Sequence, residues 1–308
     1  MDSDRHYLGL DVGGTKCAAL IGNAEGKVLS RTEWRSDAQR GPGPMIDDLC
    51  RHTLDLIAKA GTKPVRGGVS IGGPLDAEKG IIYSPPNLPG WDAIPLRDQL
   101  SRRLEMPMFI AHDGGACALA ETWWGAGRGS RRVVYLTCGT GFGMGFVCDG
   151  KVYYGSRGQS VEIGHVRYRE EGPDAYGKPG CFEGFCAGGS LGRLAAWRFP
   201  QRWKDRPPTS EEVSGLAQSG DRDAQEIIDL NARGVGDACA MLGDMLSPDV
   251  ILLGSLARYL GMSWIEKIRA RFAAECLASN AKSCRIEPAG LGERLQDCSA
   301  LVVAVAGE

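Results

Sequence analysis

The chain carries one strand-and-glycine-turn pattern twice. Residues 7–28 read YLGLDVGGTKCAALIGNAEGKV, and residues 134–152 read VYLTCGTGFGMGFVCDGKV. Each run predicts a strand, a turn of glycine and threonine, a second strand, and a glycine hairpin that leads to a third strand. Because internal repetition is the signature of a duplicated architecture, we expect two related halves.

The turns in both copies are suited to the binding of an anion. Glycine has no side chain, so backbone N–H groups are expected to be free to approach a phosphate closely, with a threonine hydroxyl beside them. The residues concerned are Gly13, Gly14 and Thr15 in the first copy and Gly139, Thr140 and Gly141 in the second. Such glycines could also form only tight hairpins, but two copies favour a nucleotide held between two related halves. The Walker A and G-x-G-x-x-G patterns are absent, which argues against a P-loop NTPase and a classical dinucleotide dehydrogenase.

Composition excludes several classes of protein. The 308 residues carry a formal net charge of −2, and 43% are hydrophobic, so the chain can form globular domains but offers no broad basic surface for nucleic acid or an anionic membrane. The eleven cysteines lack paired spacing, which indicates reduced thiols. Residues 1–6 lack the apolar region of a signal peptide, and no apolar run is long enough to span a bilayer. We therefore expect a cytoplasmic protein with no nucleic-acid or membrane partner.

Hydrophobic periodicity adds further elements to this frame. It predicts strands at 66–71, 108–111 and 250–253, and helices at 46–57 (with Leu54 on the face toward the sheet), 96–104, 113–123, 221–246 and 296–306. Thr209 and Glu212 fit a capping box, and residues 198–208 are the predicted exposed connection. The strand 108–111 delivers His112 and Asp113 at its carboxyl end, which is where open α/β sheets bind ligands.

Further motifs follow the repeats in a fixed order. They are Gly72-Gly-Pro74, Pro86-Asn-Leu-Pro-Gly-Trp91, His112-Asp113, Val161-Glu-Ile-Gly-His165, Gly180-Cys-Phe-Glu183 and Pro248-Asp-Val-Ile-Leu-Leu-Gly254. Together with Asp11-Val-Gly-Gly-Thr-Lys16, this ordered set resembles the ROK family of sugar kinases and related repressors, within the actin and hexokinase superfamily. The resemblance covers nearly the whole chain.

The resemblance implies the fold and its division. We expect a two-domain α/β protein with an actin-like (ribonuclease H-like) ATPase fold, duplicated βββαβα units and a cleft between the domains. The small N-terminal domain is expected to contain residues 1–112 plus about 293–308, and the large C-terminal domain residues 113–292. A homodimer is expected by the same analogy, and the Trp123-Trp124 pair could contribute to an interface or to the core.

The resemblance also assigns roles to particular residues. Asp113 would be the general base that accepts the proton of a sugar hydroxyl, and a role restricted to capping the next helix is the less favoured alternative. The family usually has Asn beside this Asp, so His112 could change the sugar accepted. The candidate sugar-binding residues are Gly73, Asn87, His112, Asp113, Glu162, His165 and Glu183.

The cofactors implied are ATP and Mg²⁺. Asp11 is expected to orient the metal ion of the nucleotide, through water. The candidate nucleotide-binding residues are Asp11, Gly13, Gly14, Thr15, Lys16, Gly139, Thr140, Gly141, Gly254 and Ser255. Leu256 stands where the family has a further glycine and adds bulk beside the nucleoside, which leaves two alternatives open: a low affinity for the nucleotide, or a phosphoryl donor other than ATP.

Family members typically carry a cysteine-rich zinc motif, and this chain departs from it. The corresponding segment reads DAYGKPGCFE from Asp174 to Glu183, so only His165 and Cys181 remain as expected ligands. We predict no structural zinc, and expect Tyr168, Tyr176 and Phe182 to hold the loop by packing.

The sequence is compatible with two functions. The first is ATP-dependent phosphorylation of a hexose or N-acetylhexosamine hydroxyl, with O6 as the expected position. The second is a sugar-binding pseudokinase or sensor. Because the first predicted strand begins near Tyr7, we do not expect the additional DNA-binding domain of a repressor.

Overall fold

The computed structural model describes residues 5–156 and 158–307. Residues 1–4 lie outside the described part, and with them most of the segment used to argue against a signal peptide. The strands are β1 (Tyr7–Val12), β2 (Lys16–Gly22), β3 (Val28–Arg35), β4 (Gly67–Ile71), β5 (Leu75–Asp76), β6 (Ile81–Ile82), β7 (Met108–His112), β8 (Arg132–Leu136), β9 (Met144–Cys148), β10 (Lys151–Val152), β11 (Val250–Leu253) and β12 (Arg285–Pro288).

The helices follow the same chain order. They are α1 (Pro42–Ala60), α2 (Leu96–Leu104), α3 (Asp113–Trp124), α4 (Phe182–Cys186), α5 (Leu191–Arg198), α6 (Pro200–Trp203), α7 (Ser210–Gln218), α8 (Arg222–Leu246), α9 (Leu256–Glu275), α10 (Ala278–Ser283) and α11 (Leu295–Ala306). In the part of the chain that the structure describes, no helix has the length and apolar character needed to cross a membrane.

Two five-stranded sheets share one topology. Their orders are β3-β2-β1-β4-β7 and β10-β9-β8-β11-β12. In the first sheet, β1 pairs antiparallel with β2 and parallel with β4. In the second, β11 pairs parallel with β8 and with β12, and β9 forms an antiparallel hairpin with β10. The same strand order in both sheets confirms the duplication predicted from the two glycine-turn motifs.

By internal contacts the chain divides into two compact units. Unit 1 consists of Met1–Arg128, Gly145–Ser160 and Leu291–Glu308, and unit 2 of Gly129–Met144 and Val161–Gly290. The domain bounds expected from the resemblance stay a prediction.

The sheet of unit 1 is covered on both faces. Helices α1 and α2 pack on one face through buried residues such as Leu49 and Leu100, and the closely packed helix α11 covers the other. Gly9 and Gly68 permit the close approach of α11, since a Cβ at Gly68 would lie 2.2 Å from the backbone nitrogen of Ala304. The expected helix at 296–306, which folds back onto the first half of the chain, is confirmed.

Local signals explain where the helices begin and end. Helix α1 has Pro42 as its first residue, and Gly61 in the left-handed conformation ends it with an N–H bond to the Ile57 carbonyl. Helix α7 begins with the predicted capping box, in which Thr209 and Glu212 bind each other's backbone N–H groups. In unit 2, α8 packs against α7, α4 and α9.

Three sequence expectations need correction. The N-cap of α3 is His112 rather than Asp113, because His112 keeps an extended backbone while Asp113 is already helical. The segment 198–208 is not a simple exposed loop, since it contains α6 and the buried Trp203. Leu54, predicted on the inner face of α1, is 50% exposed, and the neighbouring Leu56 is buried instead. All eleven cysteines are free thiols, as expected, and all except Cys148 are buried.

Candidate active site

The predicted site residues are distributed over both units. Asp11, Gly13, Gly14, Thr15, Lys16, Gly73, Asn87, His112 and Asp113 lie in unit 1, and Gly139, Thr140, Gly141, Glu162, His165, Glu183, Gly254 and Ser255 lie in unit 2.

Strand β7 and helix α3 present a histidine and an aspartate in succession. Asp113 Oδ1 accepts a hydrogen bond from the Gly114 N–H at 2.6 Å, and His112 Nδ1 lies 3.3 Å from the same nitrogen. His112 is 9% exposed, whereas the Asp113 side chain is 53% exposed. The helix N-terminus therefore fixes one carboxylate oxygen of Asp113 and leaves the group accessible to a substrate.

A second carboxyl group lies near Asp113. Asp11, in β1, is partly buried, and this burial is the largest cause that raises its pKa to about 7. The negative charges of Asp113 and Asp297 act in the same direction, against the positive charges of Lys16 and Arg31. The cluster therefore favours a proton or a cation at Asp11.

Asp297 was not among the predicted site residues. It lies in the first turn of α11 and forms an ion pair with Arg31 at 2.9 Å. An acidic residue at the start of an otherwise small and apolar helix was the available signal.

The first glycine turn differs from its expected form. The Gly13 N–H donates to the Lys16 carbonyl at 3.1 Å, so this group closes the turn and is not free for a phosphate. The Thr15 carbonyl accepts a hydrogen bond from Ser36, while the side chains of Thr15 and Lys16 are exposed. The Lys16 ammonium lies 3.0 Å from a Glu33 carboxylate oxygen.

Two glycine contacts bring further predicted residues together in unit 1. A Cβ at Gly14 would lie 2.5 Å from the Asn87 carbonyl oxygen, and a Cβ at Gly73 would lie 2.7 Å from His112 Cδ2. These positions tolerate no side chain, because the neighbouring atoms occupy the space. Asn87 itself is exposed.

In unit 2, Glu183 lies beside the second glycine turn. Glu183 is 9% exposed, and its Oε2 accepts a hydrogen bond from the Phe142 N–H at 3.3 Å. The same oxygen would lie 3.3 Å from a Cβ at Gly141. Burial raises the pKa of Glu183, while the Phe142 N–H and the charges of Arg193 and His165 lower it.

The second glycine turn also contacts two segments that follow it in the chain. The Gly139 carbonyl accepts a hydrogen bond from the Gly189 N–H at 2.9 Å, and a Cβ at Gly139 would lie 3.2 Å from Ser255 Oγ. Gly189 was not predicted as a site residue. The Gly-Gly pair before α5 was the signal, since adjacent glycines at a helix start allow close backbone approach.

Leu256 occupies space beside this turn. Its N–H donates to the Cys138 carbonyl at 3.3 Å, and its Cδ2 would lie 3.3 Å from a Cβ at Gly188. Gly254 precedes it and lies against Tyr135, whose hydroxyl oxygen would be 2.3 Å from an added Cβ. The Leu256 side chain, which was expected to add bulk beside the nucleoside, therefore lies next to Gly188 and the second glycine turn.

Glu162 and His165 belong to one short turn. Residues Ile163–His165 form a 3₁₀ turn, and the His165 N–H donates to the Glu162 carbonyl at 3.2 Å. Both side chains are exposed. The charge of His165 lowers the pKa of Glu183, so these two predicted residues belong to one group in the folded chain.

The residues of the loop between His165 and Glu183 do not fit a tetrahedral zinc site. The Cys181 thiol points to the Ala175 carbonyl, Asp174 accepts a hydrogen bond from the Gly177 N–H, and the His165 ring stacks on Tyr176. Among the described residues, no group of three or more His, Cys, Asp and Glu side chains is arranged to hold a metal ion. The absence of zinc itself stays a prediction.

Aromatic contacts hold this loop, as the sequence indicated. Tyr168 stacks on Phe182 with ring centroids 4.7 Å apart and meets Phe185 edge to face at 5.1 Å. The Tyr168 hydroxyl lies 2.5 Å from Asp237 Oδ2, and Asp237 also binds Arg271. Packing and one polar network therefore anchor the loop to α8 and α9.

Comparison of the sequence with known proteins gives consistent matches over most of the chain. Residues 7–300 match the ROK family. A glucokinase of Halalkalibacterium halodurans is 30% identical over 305 residues, covering 94% of this chain and 92% of that protein. An N-acetylmannosamine kinase of Yersinia pseudotuberculosis is 29% identical, covering 85% and 87%. A xylose repressor of Caldicellulosiruptor bescii is 26% identical, covering 96% and 77%.

Solved structures of ROK family proteins are also similar to this chain. The ROK hexokinase of Thermus thermophilus superposes with a TM-score of 0.86 at 31% identity and covers 98% of both chains. A ROK family glucokinase of Streptomyces griseus, in complex with glucose and AMPPNP, has a TM-score of 0.79 at 26% identity and covers 97% of this chain and 99% of that one.

Proposed function

Because this chain belongs to the ROK family, we propose that it transfers the γ-phosphoryl group of ATP to a hydroxyl group of a hexose or an N-acetylhexosamine. The chain is a sugar kinase, and its relatives include a glucokinase and an N-acetylmannosamine kinase. We propose O6 as the hydroxyl that reacts and MgATP as the donor. The expected homodimer and cytoplasmic location remain predictions.

One observation carries the proposed catalytic role of Asp113. Its carboxylate is held by the Gly114 N–H at the start of α3 and is still half exposed. A sugar hydroxyl is a poor nucleophile at neutral pH, and a positioned carboxylate promotes attack by accepting the proton as the new bond forms. Asp113 would supply this base, and His112 beside it would contact the sugar.

Other residues would bind the two substrates. Glu183, Glu162 and His165 offer carboxylate and imidazole groups to sugar hydroxyls, because hydroxyl-rich ligands need a hydrogen-bond partner for each buried group. The second glycine turn and Ser255 would approach the phosphates through backbone N–H groups and a hydroxyl. Asp11 is suited to orient the metal ion that arrives with ATP, since a nearby cation would favour its ionised form.

The test is a coupled ADP-release assay with ATP and Mg²⁺ against glucose, mannose, N-acetylglucosamine and N-acetylmannosamine. Asp113→Asn should lower turnover by about 10²–10⁴-fold while sugar binding, measured by calorimetry, is retained, because the carboxylate is needed for proton transfer and not for folding. Asp98→Asn is the matched control, since this carboxylate in α2 is similarly exposed and lies outside the proposed site.

Near-normal turnover in the Asp113→Asn protein would refute the assignment of the base. Sugar binding by the wild-type chain without turnover of any sugar would instead favour a pseudokinase.

A further inference from the structure

Tyr176 adopts a backbone conformation that tyrosine rarely takes. Its φ is +54°, in the left-handed region that favours glycine, and the residue is 58% exposed. A bulky residue held in this conformation and turned toward solvent costs conformational energy, and such positions concentrate at functional sites.

The turn around Tyr176 is firmly anchored on both sides. The Gly177 N–H donates to Asp174 Oδ1 at 3.1 Å, and the Lys178 N–H donates to the Ala175 carbonyl at 3.1 Å. Ala175 is buried and accepts the Cys181 thiol contact at 3.8 Å. The strained conformation is thus imposed by the surrounding turn, which fixes the direction of the tyrosine side chain.

That direction brings Tyr176 to two of the proposed sugar-binding residues. Its ring stacks on His165 with the centroids 5.7 Å apart and the planes inclined by 13°. Burial raises the pKa of both Tyr176 and Glu183, and the interaction between these two groups raises the pKa of Tyr176 further and lowers that of Glu183.

We propose that Tyr176 binds the sugar directly, with its exposed ring against the C–H face of a pyranose and its hydroxyl completing the hydrogen-bonding group of Glu183. This inference rests on the proposed function, since it assumes that Glu183 and His165 contact the sugar. Carbohydrate sites combine a flat apolar surface with a few fixed polar groups, and tyrosine supplies both with little conformational freedom to lose.

The chemical class of ligand follows from the arrangement. A pyranose has one face of C–H groups and a rim of hydroxyls, so it can contact the ring and the carboxylate together. A linear polyol lacks such a face. Tyr176 should therefore contribute to affinity for the ring form of the sugar and have no effect on the affinity for ATP.

The experiment compares the wild-type protein with Tyr176→Ala, Tyr176→Phe and Tyr153→Ala. The last is a matched control, because Tyr153 is 52% exposed, has an aromatic neighbour in Phe146 and lies outside the proposed site. Sugar affinity is measured by calorimetry without nucleotide, and KM for sugar and ATP by ADP release. Circular dichroism and the thermal midpoint establish that each variant is folded.

We expect Tyr176→Ala to weaken sugar affinity and raise KM for the sugar about tenfold or more, the effect of losing one good contact, with KM for ATP unchanged. Tyr176→Phe should show a smaller loss because it keeps the ring, and Tyr153→Ala none. Unchanged sugar affinity in a folded Tyr176→Ala protein overturns the inference while the kinase stands. A wild-type protein that binds no sugar overturns the proposed function, and the inference falls with it.

Discussion

The ionisation of Asp11 should affect the stability of the folded chain near neutral pH. Its pKa of about 7 lies above the ordinary value of 3.8, so between these pH values the folded chain retains a proton that the unfolded chain has released. The retained proton contributes to the free energy of unfolding. This contribution is fully present below about pH 4 and is lost as pH rises through about 7.

Replacing Asp11 by Asn should remove this dependence. Without metal or nucleotide, the wild-type thermal midpoint should fall relative to that of Asp11→Asn between about pH 4 and about pH 7, by roughly 2–4 °C for each kcal/mol lost. Thermal unfolding of both proteins across this range measures the difference, and Asp98→Asn should follow the wild type. Parallel curves for wild type and Asp11→Asn would show that the folded pKa is ordinary.

Individual residues also show which features of the site could be predicted from the sequence and which could not. His112 and Asp113 could be placed at the end of a strand from periodicity alone, because a short apolar run and a following helix define that point. Which of them caps α3 depends on one backbone angle, and the use of the Gly13 N–H within its own turn depends on the path of the next few residues. Neither is encoded in residue type.

At the scale of elements, the contact of α11 with β4 depends on a glycine. Gly68→Ala should cost at least about 1–3 kcal/mol of stability, because the new Cβ would meet the backbone of Ala304 and force the helix away from the sheet. Denaturant unfolding measures the loss.

Gly43→Ala supplies the control for that substitution. Gly43 lies in the first turn of α1, and a Cβ there meets nothing within 4 Å. Alanine favours a helix over glycine by up to about 1 kcal/mol, so this variant should be neutral or more stable. Equal behaviour of the two alanine variants would contradict the close packing described for α11.

The loop that precedes Glu183 makes a further prediction. Purified protein should contain no stoichiometric zinc, and a chelator should leave its thermal midpoint unchanged, because the thiol, imidazole and carboxylate of the loop are engaged elsewhere. Elemental analysis together with thermal unfolding in EDTA measures both. One zinc ion per chain, with a lowered midpoint after its removal, would show that the loop rearranges around a metal.

For the whole molecule, the sequence predicted the repeated topology better than the site. The two glycine-turn motifs are local patterns, and the same strand order in both sheets follows from them. Gly189 and Asp297 escaped prediction as site residues because they contact residues distant in sequence, such as Arg31 for Asp297, and Tyr176 was predicted only to pack within its loop. Tyrosine at a left-handed position carries no signal in a single sequence.

The order in which the elements of unit 1 are synthesised has a consequence for the folding of the new chain. The sheet of unit 1 is complete once β7 has been made, but α11, which covers one face of that sheet, follows the whole of unit 2 in the chain. Since ribosomes add about 5–20 residues per second, that apolar face stays bare for roughly 10–40 s while the intervening residues are translated. Newly made chains therefore expose this apolar face of the sheet throughout that interval. The yield of folded protein in a cell should depend on chaperones that bind the face until α11 docks.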